Sequence, residues 1–120
     1  MINLAADANT LVAVGEEHTR TYQAKVERDG VSVESSHQRV FCGKCGSHLW
    51  AFNEKWPELL HPVASAIDSS LPVAPERVHM MLGSKASWVE PQNGHEDSSF
   101  DTYPKESIAS WHRSRGLNSD

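Results

Sequence analysis

The segment from Thr19 to Ser36, "TRTYQAKVERDGVSVESS", constrains the fold of this chain more than any other. Polar and apolar residues alternate on both sides of Asp29-Gly30, a pair that two-residue β-hairpin turns favour. We therefore expect a hairpin whose second strand runs on through His37–Phe41 to the two cysteines of the chain. This hairpin is the first indication of a mainly β fold.

Further short apolar segments predict additional strands. The strand candidates are "TLVAVG" (Thr10–Gly15), "SHLWAFN" (Ser47–Asn53), "LLHPVASAI" (Leu59–Ile67) and "PERVHMMLG" (Pro75–Gly83). Pro62 cannot donate a ladder hydrogen bond, so we expect it at a sheet edge or a bulge. The segment Pro91–Ser99 is polar and predicts a loop.

One helix is predicted near the C-terminus, over "YPKESIASWHRSRG" (Tyr103–Gly116). Pro104 suits the first turn of a helix, Gly116 suits the position just past its end, and basic residues fall in the last turn. Ile108 and Trp111 are three residues apart and share a face, so we expect Trp111 to anchor the helix.

Length and composition set further limits. A chain of 120 residues is expected to form a single domain over residues 1–120. Its net charge is −5 and it has no basic stripe, which argues against a nucleic-acid partner. No apolar run approaches the roughly 20 residues that cross a membrane, and we do not expect the N-terminal residues to act as a signal peptide. We expect a cytoplasmic protein.

Cys42 and Cys45 form a Cys-x-x-Cys pair within "FCGKCGSHLW". A redox pair of this type opens a helix, whereas here β-like aromatic residues follow, which disfavours redox chemistry. Gly43 and Gly46 suit the tight turn of a zinc knuckle, because glycine readily takes positive φ. Zinc is the default metal for such a thiolate pair, and two inert buried thiols remain the plainer alternative.

The seven histidines do not supply an obvious second half of a zinc site. They are His18, His37, His48, His61, His79, His95 and His112, and no two of them form a His-x₃₋₅-His pair. His48 follows the thiols on a strand and is expected to point away from them. For each histidine an ordinary structural or surface role is expected.

The segment "RVFCGKCGSHLW" resembles the R-x-F-C-x-x-C-G-S-x-L segment of the glutathione-dependent formaldehyde-activating enzyme family, which includes centromere protein V. Three further stretches resemble the family in the same order: "ADANTLVAVGEEHTRTYQ", "VASAIDSSLPVAPERVHMMLGSKASWVE" and "FDTYPKESIASWHRSRGL". The resemblance covers the chain from about Asn3 to Leu117.

This resemblance implies a mainly β, Mss4-like "tent" with a zinc knuckle and one C-terminal helix. It also implies a carbon–sulfur lyase activity in which formaldehyde is added to the thiol of glutathione. Cys42 and Cys45 match two of four structural zinc ligands. The family's N-terminal Cys-x-Cys and its catalytic cysteine cluster have no match here, so the chain is expected to be truncated at its N-terminus relative to the family.

Two functions follow as alternatives. The chain is either a zinc-dependent carbon–sulfur lyase by resemblance, inactive on its own, or a non-catalytic zinc-binding or interaction protein, such as a fragment or one half of a split protein. Glutathione or another small thiol is the expected partner, and a homodimer could complete the zinc site. No catalytic residue is assigned. The aromatic residues Trp88, Phe100, Tyr103 and Trp111 are expected to be core, and Asp68 to cap a turn.

Overall fold

The computed structural model describes residues 1–91 and 98–117. The chain divides into two compact units, Met1–Ser70 and Leu71–Asp120. The expectation of one domain over residues 1–120 stays a prediction.

The first unit is built on a five-stranded antiparallel sheet. Its strands are β1 (Ala6–Asp7), β2 (Thr19–Arg28), β3 (Val31–Cys42), β4 (His48–Asn53) and β5 (Leu59–Pro62), in the spatial order β1-β5-β4-β3-β2. Short 3₁₀ helices cover Ala8–Thr10, Glu16–His18 and Ala64–Ala66. The long inner strand β3 carries the chain from the hairpin turn directly to Cys42.

The hairpin between β2 and β3 forms at the predicted turn. Arg28 pairs with Val31, which leaves Asp29 and Gly30 as a two-residue loop. Both take positive φ, 52° and 76°, which is the geometry of a type I′ turn. The turn's twist matches that of the strands, so local sequence sets the register of the longest pair in the sheet.

The buried core of the first unit is small. Among the described residues, its buried hydrophobic side chains are those of Val40, Ala51, Leu60 and Val63. The first three lie on the inner strands β3, β4 and β5, and Val63 directly follows β5. Cys42 is the last residue of β3, and Cys45 lies in the loop that leads to β4. The packing of these two strands therefore also positions the two cysteines.

Strand β5 ends at Pro62 rather than continuing to Ile67 as predicted. The Leu4 N–H donates to the Pro62 carbonyl at 3.0 Å, but Pro62 has no N–H to return that bond. The His61 ring nitrogen Nδ1 lies 3.1 Å from the Leu4 carbonyl oxygen and donates to it instead. Pro62 therefore stands at the end of an inner strand, and not in an edge strand or bulge.

The strand predicted over Thr10–Gly15 is wrong. Asp7 accepts a hydrogen bond from the Asn9 N–H at 2.9 Å, and the Thr10 hydroxyl donates to the Asp7 carbonyl at 2.7 Å. These local bonds form a 3₁₀ turn that competes with a strand. The apolar residues that suggested a strand are exposed, with Val14 at 97%.

The second unit has little regular structure among its described residues. A two-residue strand β6 (Val78–His79) pairs in parallel with β7 (Ser98–Ser99), and a 3₁₀ helix covers Leu82–Ser84. The strand expected over Pro75–Gly83 is therefore much shorter, because Met81 takes a left-handed φ of 61°. Most of the polar loop predicted over Pro91–Ser99 lies outside the described residues.

The C-terminal helix α1 spans Ile108–Ser114. It begins later than predicted, because Ser107 is the N-cap and its side chain accepts from the Ser110 N–H at 3.1 Å. Pro104 therefore precedes the helix instead of occupying its first turn. Gly116 follows the end with a φ of 65°, as expected for a terminating glycine.

Arg115 links this helix to the rest of the second unit. Its guanidinium lies 4.2 Å from the centroid of the Trp111 ring and pairs with the Glu76 carboxylate. Trp111 is half-buried, and its edge contacts His112 in a T-shaped arrangement. The expectation that Trp111 anchors the helix stays a prediction.

A mainly β protein with one C-terminal α-helix is thus confirmed over residues 1–91 and 98–117. The finer expectation of an Mss4-like tent stays a prediction. Within the same residues no helix is both long enough and apolar enough to cross a membrane.

Candidate functional site

The two cysteines lie at the two ends of a tight turn between β3 and β4. The Cys42 N–H donates to the Ser47 carbonyl at 2.8 Å, and the Gly46 N–H donates to the Cys42 carbonyl at 2.7 Å. These two bonds close the turn and bring both cysteines to the same end of the sheet. We call the segment Cys42–Ser47 the knuckle.

The two glycines of the knuckle are needed for different reasons. Gly46 has a φ of 78°, the positive value that was expected. Gly43 does not have a positive φ, but a Cβ atom there would lie 2.9 Å from the His18 carbonyl oxygen. Its own N–H donates to that same oxygen at 2.8 Å. Gly43 therefore permits a close approach between the knuckle and the turn that precedes β2.

The two thiols differ in accessibility. Cys42 is half-buried and Cys45 is exposed, and both are free of a disulfide. Cys45 Sγ lies 3.2 Å from the Ser47 hydroxyl oxygen. Hydrogen bonds from the Ser47 side chain, then from its backbone, and then from Cys42 hold the pKa of the Cys45 thiol below its usual range. The alternative of two buried, inert thiols does not fit an exposed Cys45.

The knuckle opens onto a cleft of about 490 Å³. The residues that line this cleft are Cys42, Cys45, Ser47, His48, Leu49, Ser65, Ala66 and Asp68. His48 also contributes to this lining, and the expectation that its side chain points away from the thiols stays a prediction. The volume falls within the range of small-ligand sites, which is roughly 300–1,000 Å³. We call it the thiol cleft.

The thiol cleft does not assemble a complete zinc site from one chain. Over residues 1–91 and 98–117, no three His, Cys, Asp or Glu side chains come together in a way that could hold a metal ion. Nε2 of His48 lies 3.1 Å from the Trp50 carbonyl and donates to it. A tetrahedral structural zinc needs four ligands, and the described residues do not bring such a set together.

Ser47, Ser65 and Asp68 belong to the thiol cleft, and the sequence patterns did not single out either serine. Asp68 had been interpreted only as a turn residue. It lies 23 residues after Cys45 in a segment without a motif, so no spacing rule connects the two. Of these three residues, only Ser47 could have been singled out from the sequence, because it directly follows the second glycine of the knuckle.

A second cluster of titratable groups surrounds His37 on β3. His37 is half-buried, and burial is the main reason why its pKa is lowered, followed by the charges of Arg39, His61 and His48. Arg39 pairs with Ala51, and Ala51 pairs with His61, so the side chains of Arg39 and His61 lie on the same face of the sheet. The arrangement keeps His37 neutral at a pH where an isolated histidine begins to take up a proton.

The aromatic residues did not all become core. Trp88 is 83% exposed and Tyr103 is 69% exposed, so the expectation is wrong for both. Phe100 and Trp111 are half-buried. A separate cleft of about 310 Å³ lies in the first unit, where Val40, Trp50, Phe52 and Leu60 contribute to its lining.

Comparisons with known proteins give one clear relative. A protein of Halomonas elongata, named "Putative glutathione-dependent formaldehyde-activating enzyme", is 54% identical over 116 residues. The aligned region covers 97% of this chain and 71% of the relative. No family model matches the sequence, and no solved structure matches it either. Identity at this level over nearly the whole chain, together with the knuckle and the mainly β fold, shows that the chain belongs to the glutathione-dependent formaldehyde-activating enzyme family.

Proposed function

We propose that this chain is a zinc-binding protein in which Cys42 and Cys45 supply two structural ligands and hold no catalytic metal. The observation that carries this proposal is the knuckle itself, where two thiols meet at a closed, glycine-dependent turn. The hydrogen bonds from Ser47 to Cys45 favour a thiolate, which is the form that binds zinc. The zinc is a structural ion with a partial ligand set.

Two chains together could complete the site. Each chain contributes two thiolates, and a Cys₄ set is the commonest closed environment for structural zinc. Cys45 is exposed, so it can reach a ligand set that another chain supplies. Zinc binding should then couple to dimer formation, and the free energy of binding should add to the stability of the folded dimer.

The family resemblance supports a carbon–sulfur lyase activity as the proposed reaction class, with formaldehyde and glutathione as the proposed reactants. A catalytic zinc needs three protein ligands and an open position for substrate. Within the described residues no three suitable side chains come together. We therefore propose that the 120-residue chain does not catalyse this reaction by itself.

Glutathione or another small thiol is the proposed small-molecule partner. The printed name of the Halomonas elongata relative refers to glutathione dependence, and the thiol cleft is large enough for a ligand of moderate size. A bound thiol would gain no rate from binding alone, because acceleration requires interactions that strengthen in the transition state. The proposed location of the protein is the cytoplasm.

A non-catalytic zinc-binding or interaction protein is the second candidate. The two thiols of the knuckle favour it, because among the described residues no further side chain completes a metal site and another polypeptide could supply the missing ligands. Strand β2 also lies at the edge of the sheet with ten residues, where another chain could add a strand. In this case the chain would act as one half of a split protein or as a fragment that joins a partner.

Metal analysis tests the proposal. We expect one zinc per two wild-type chains, and native mass spectrometry should show that zinc occurs only in the dimer. Cys42→Ser and Cys45→Ser should lose both the zinc and the dimer. Ser65→Ala is a matched control, because Ser65 lines the same cleft without a role in metal binding. Full zinc occupancy in Cys45→Ser would overturn the proposal.

A further inference from the structure

The two thiols of a single chain can be considered as metal ligands without a second chain. Two sulfur atoms lie at the thiol cleft, with Cys45 exposed and Cys42 half-buried. His48 lines the same cleft, and its Nε2 donates to the Trp50 carbonyl. Over residues 1–91 and 98–117 no third carboxylate, imidazole or thiol joins the pair to form a metal site. Among the described residues, the thiol cleft therefore offers two soft sulfur ligands with no third side chain placed to complete a metal site.

We propose that one chain binds one Cu(I) ion between the sulfur atoms of Cys42 and Cys45. The inference rests on the proposed function only in treating the knuckle as a metal site. The proposed copper site requires a single chain, whereas the proposed zinc site requires two. Binding replaces the two thiol protons by one Cu(I) ion, and no electron is transferred.

The choice of ion follows from the number and softness of the ligands. Thiolates select soft ions, and Cu(I) is among the ions that cysteine ligands favour. Cu(I) is stable with two thiolates, whereas zinc prefers four ligands in a tetrahedron. Mg²⁺ and Ca²⁺ require several oxygen ligands, which this cleft does not present as a group. The half site that is incomplete for zinc is thus complete for Cu(I).

The knuckle is also built in a way that suits a two-sulfur site. Backbone hydrogen bonds at 2.7 and 2.8 Å hold the turn that carries both cysteines closed. The Ser47 hydroxyl lies 3.2 Å from Cys45 Sγ and can support that sulfur as an outer-shell partner. Both cysteines line the thiol cleft, so a Cu(I) ion that is carried by a small thiol ligand can reach them.

The experiment is an anaerobic titration of the zinc-free, reduced chain against the coloured Cu(I)–bicinchoninate complex. The wild-type chain should remove one Cu(I) per chain and remain a monomer by native mass spectrometry. Cys42→Ser and Cys45→Ser should each weaken binding by more than the roughly 10- to 100-fold that loss of an outer-shell partner costs. Ser47→Ala should weaken it by no more than that range.

Matched variants separate the outcomes. Ser65→Ala and His48→Gln should bind Cu(I) like the wild type, because neither residue is a ligand. Failure of the wild-type chain to remove copper, equal removal by Cys42→Ser, or a copper-loaded dimer would each overturn the proposal. A loss of copper in His48→Gln would also contradict the two-sulfur site. If zinc fails to bind but Cu(I) binds a monomer, the zinc proposal falls and this one stands.

Discussion

A Cβ atom on Gly43 would lie 2.9 Å from the carbonyl oxygen of His18, which is closer than such atoms approach in proteins. The same oxygen accepts the Gly43 N–H at 2.8 Å. The knuckle and the short helix before β2 are therefore held together by a contact that admits only glycine. Because Cys42 directly precedes Gly43, this contact also positions the first thiol.

We expect Gly43→Ala to destabilise the first unit by about 1–3 kcal/mol, because backbone must move to admit the methyl group. Gly46→Ala should cost about 1–2 kcal/mol through its φ of 78°, with no neighbouring atom in the way. Gly46→Asn is the matched control, since asparagine tolerates this conformation better. Denaturant unfolding measures the three variants. An unchanged midpoint in Gly43→Ala would mean that the close approach does not exist in solution.

Trp111 and Trp88 form a natural pair for testing the C-terminal helix. Trp111 is half-buried beneath the Arg115 guanidinium, whereas Trp88 is 83% exposed. We expect Trp111→Ala to cost about 2 kcal/mol from lost burial and lost cation–π contact. Trp88→Ala should change the midpoint little. If the two substitutions have equal effects, the helix is not anchored by Trp111.

The surroundings of His37 predict a dependence of stability on pH. Burial and the Arg39 charge lower the pKa of His37 in the folded chain, so the unfolded chain binds this proton more readily. The contribution to stability is therefore complete above the ordinary histidine pKa of about 6.5. It is lost as the pH falls from that value through the folded pKa of His37.

We expect His37→Gln to flatten the loss of stability below pH of about 6.5. Arg39→Gln should flatten it partly, because it removes the second cause of the shift. His18→Gln replaces a histidine outside the cluster and serves as the control. The measurement is the urea midpoint as a function of pH for each variant. A curve for His37→Gln that parallels the wild type would show that other groups determine the acid response.

Elements that are specified by local chemistry could be predicted from the sequence. Asp29-Gly30 fixed the hairpin because only a few residue pairs accept two successive positive φ values. Gly116 marked the helix end for a similar reason. The start of the helix was predicted at the wrong residue, because Ser107 and Pro104 are both residue types that favour a helix start. The capping bond of Ser107 depends on the geometry of the surrounding chain.

Features that depend on distant contacts could not be predicted. The apolar residues around Val12 suggested a strand, but a strand needs a partner, and Asp7 instead closes a local turn. Asp68 reaches the thiol cleft only because the chain returns past the knuckle after β5. The resemblance to the family singled out Cys42 and Cys45, which the structure places at one turn beside the thiol cleft; their ligand role stays a prediction.

The central claim is that this chain carries a structural half site and no catalytic centre of its own. The most direct measurement is a progress curve for S-hydroxymethylglutathione formation from formaldehyde and glutathione, at fixed pH and zinc concentration, against the uncatalysed reaction. We expect the 120-residue chain to leave the rate at the uncatalysed level. Addition of the part of the Halomonas elongata relative that lies outside the aligned region is the second arm, and a gain of rate there would indicate a split enzyme. Turnover by the unaided chain that Cys42→Ser abolishes would contradict the account, because these two thiols would then hold a catalytic metal.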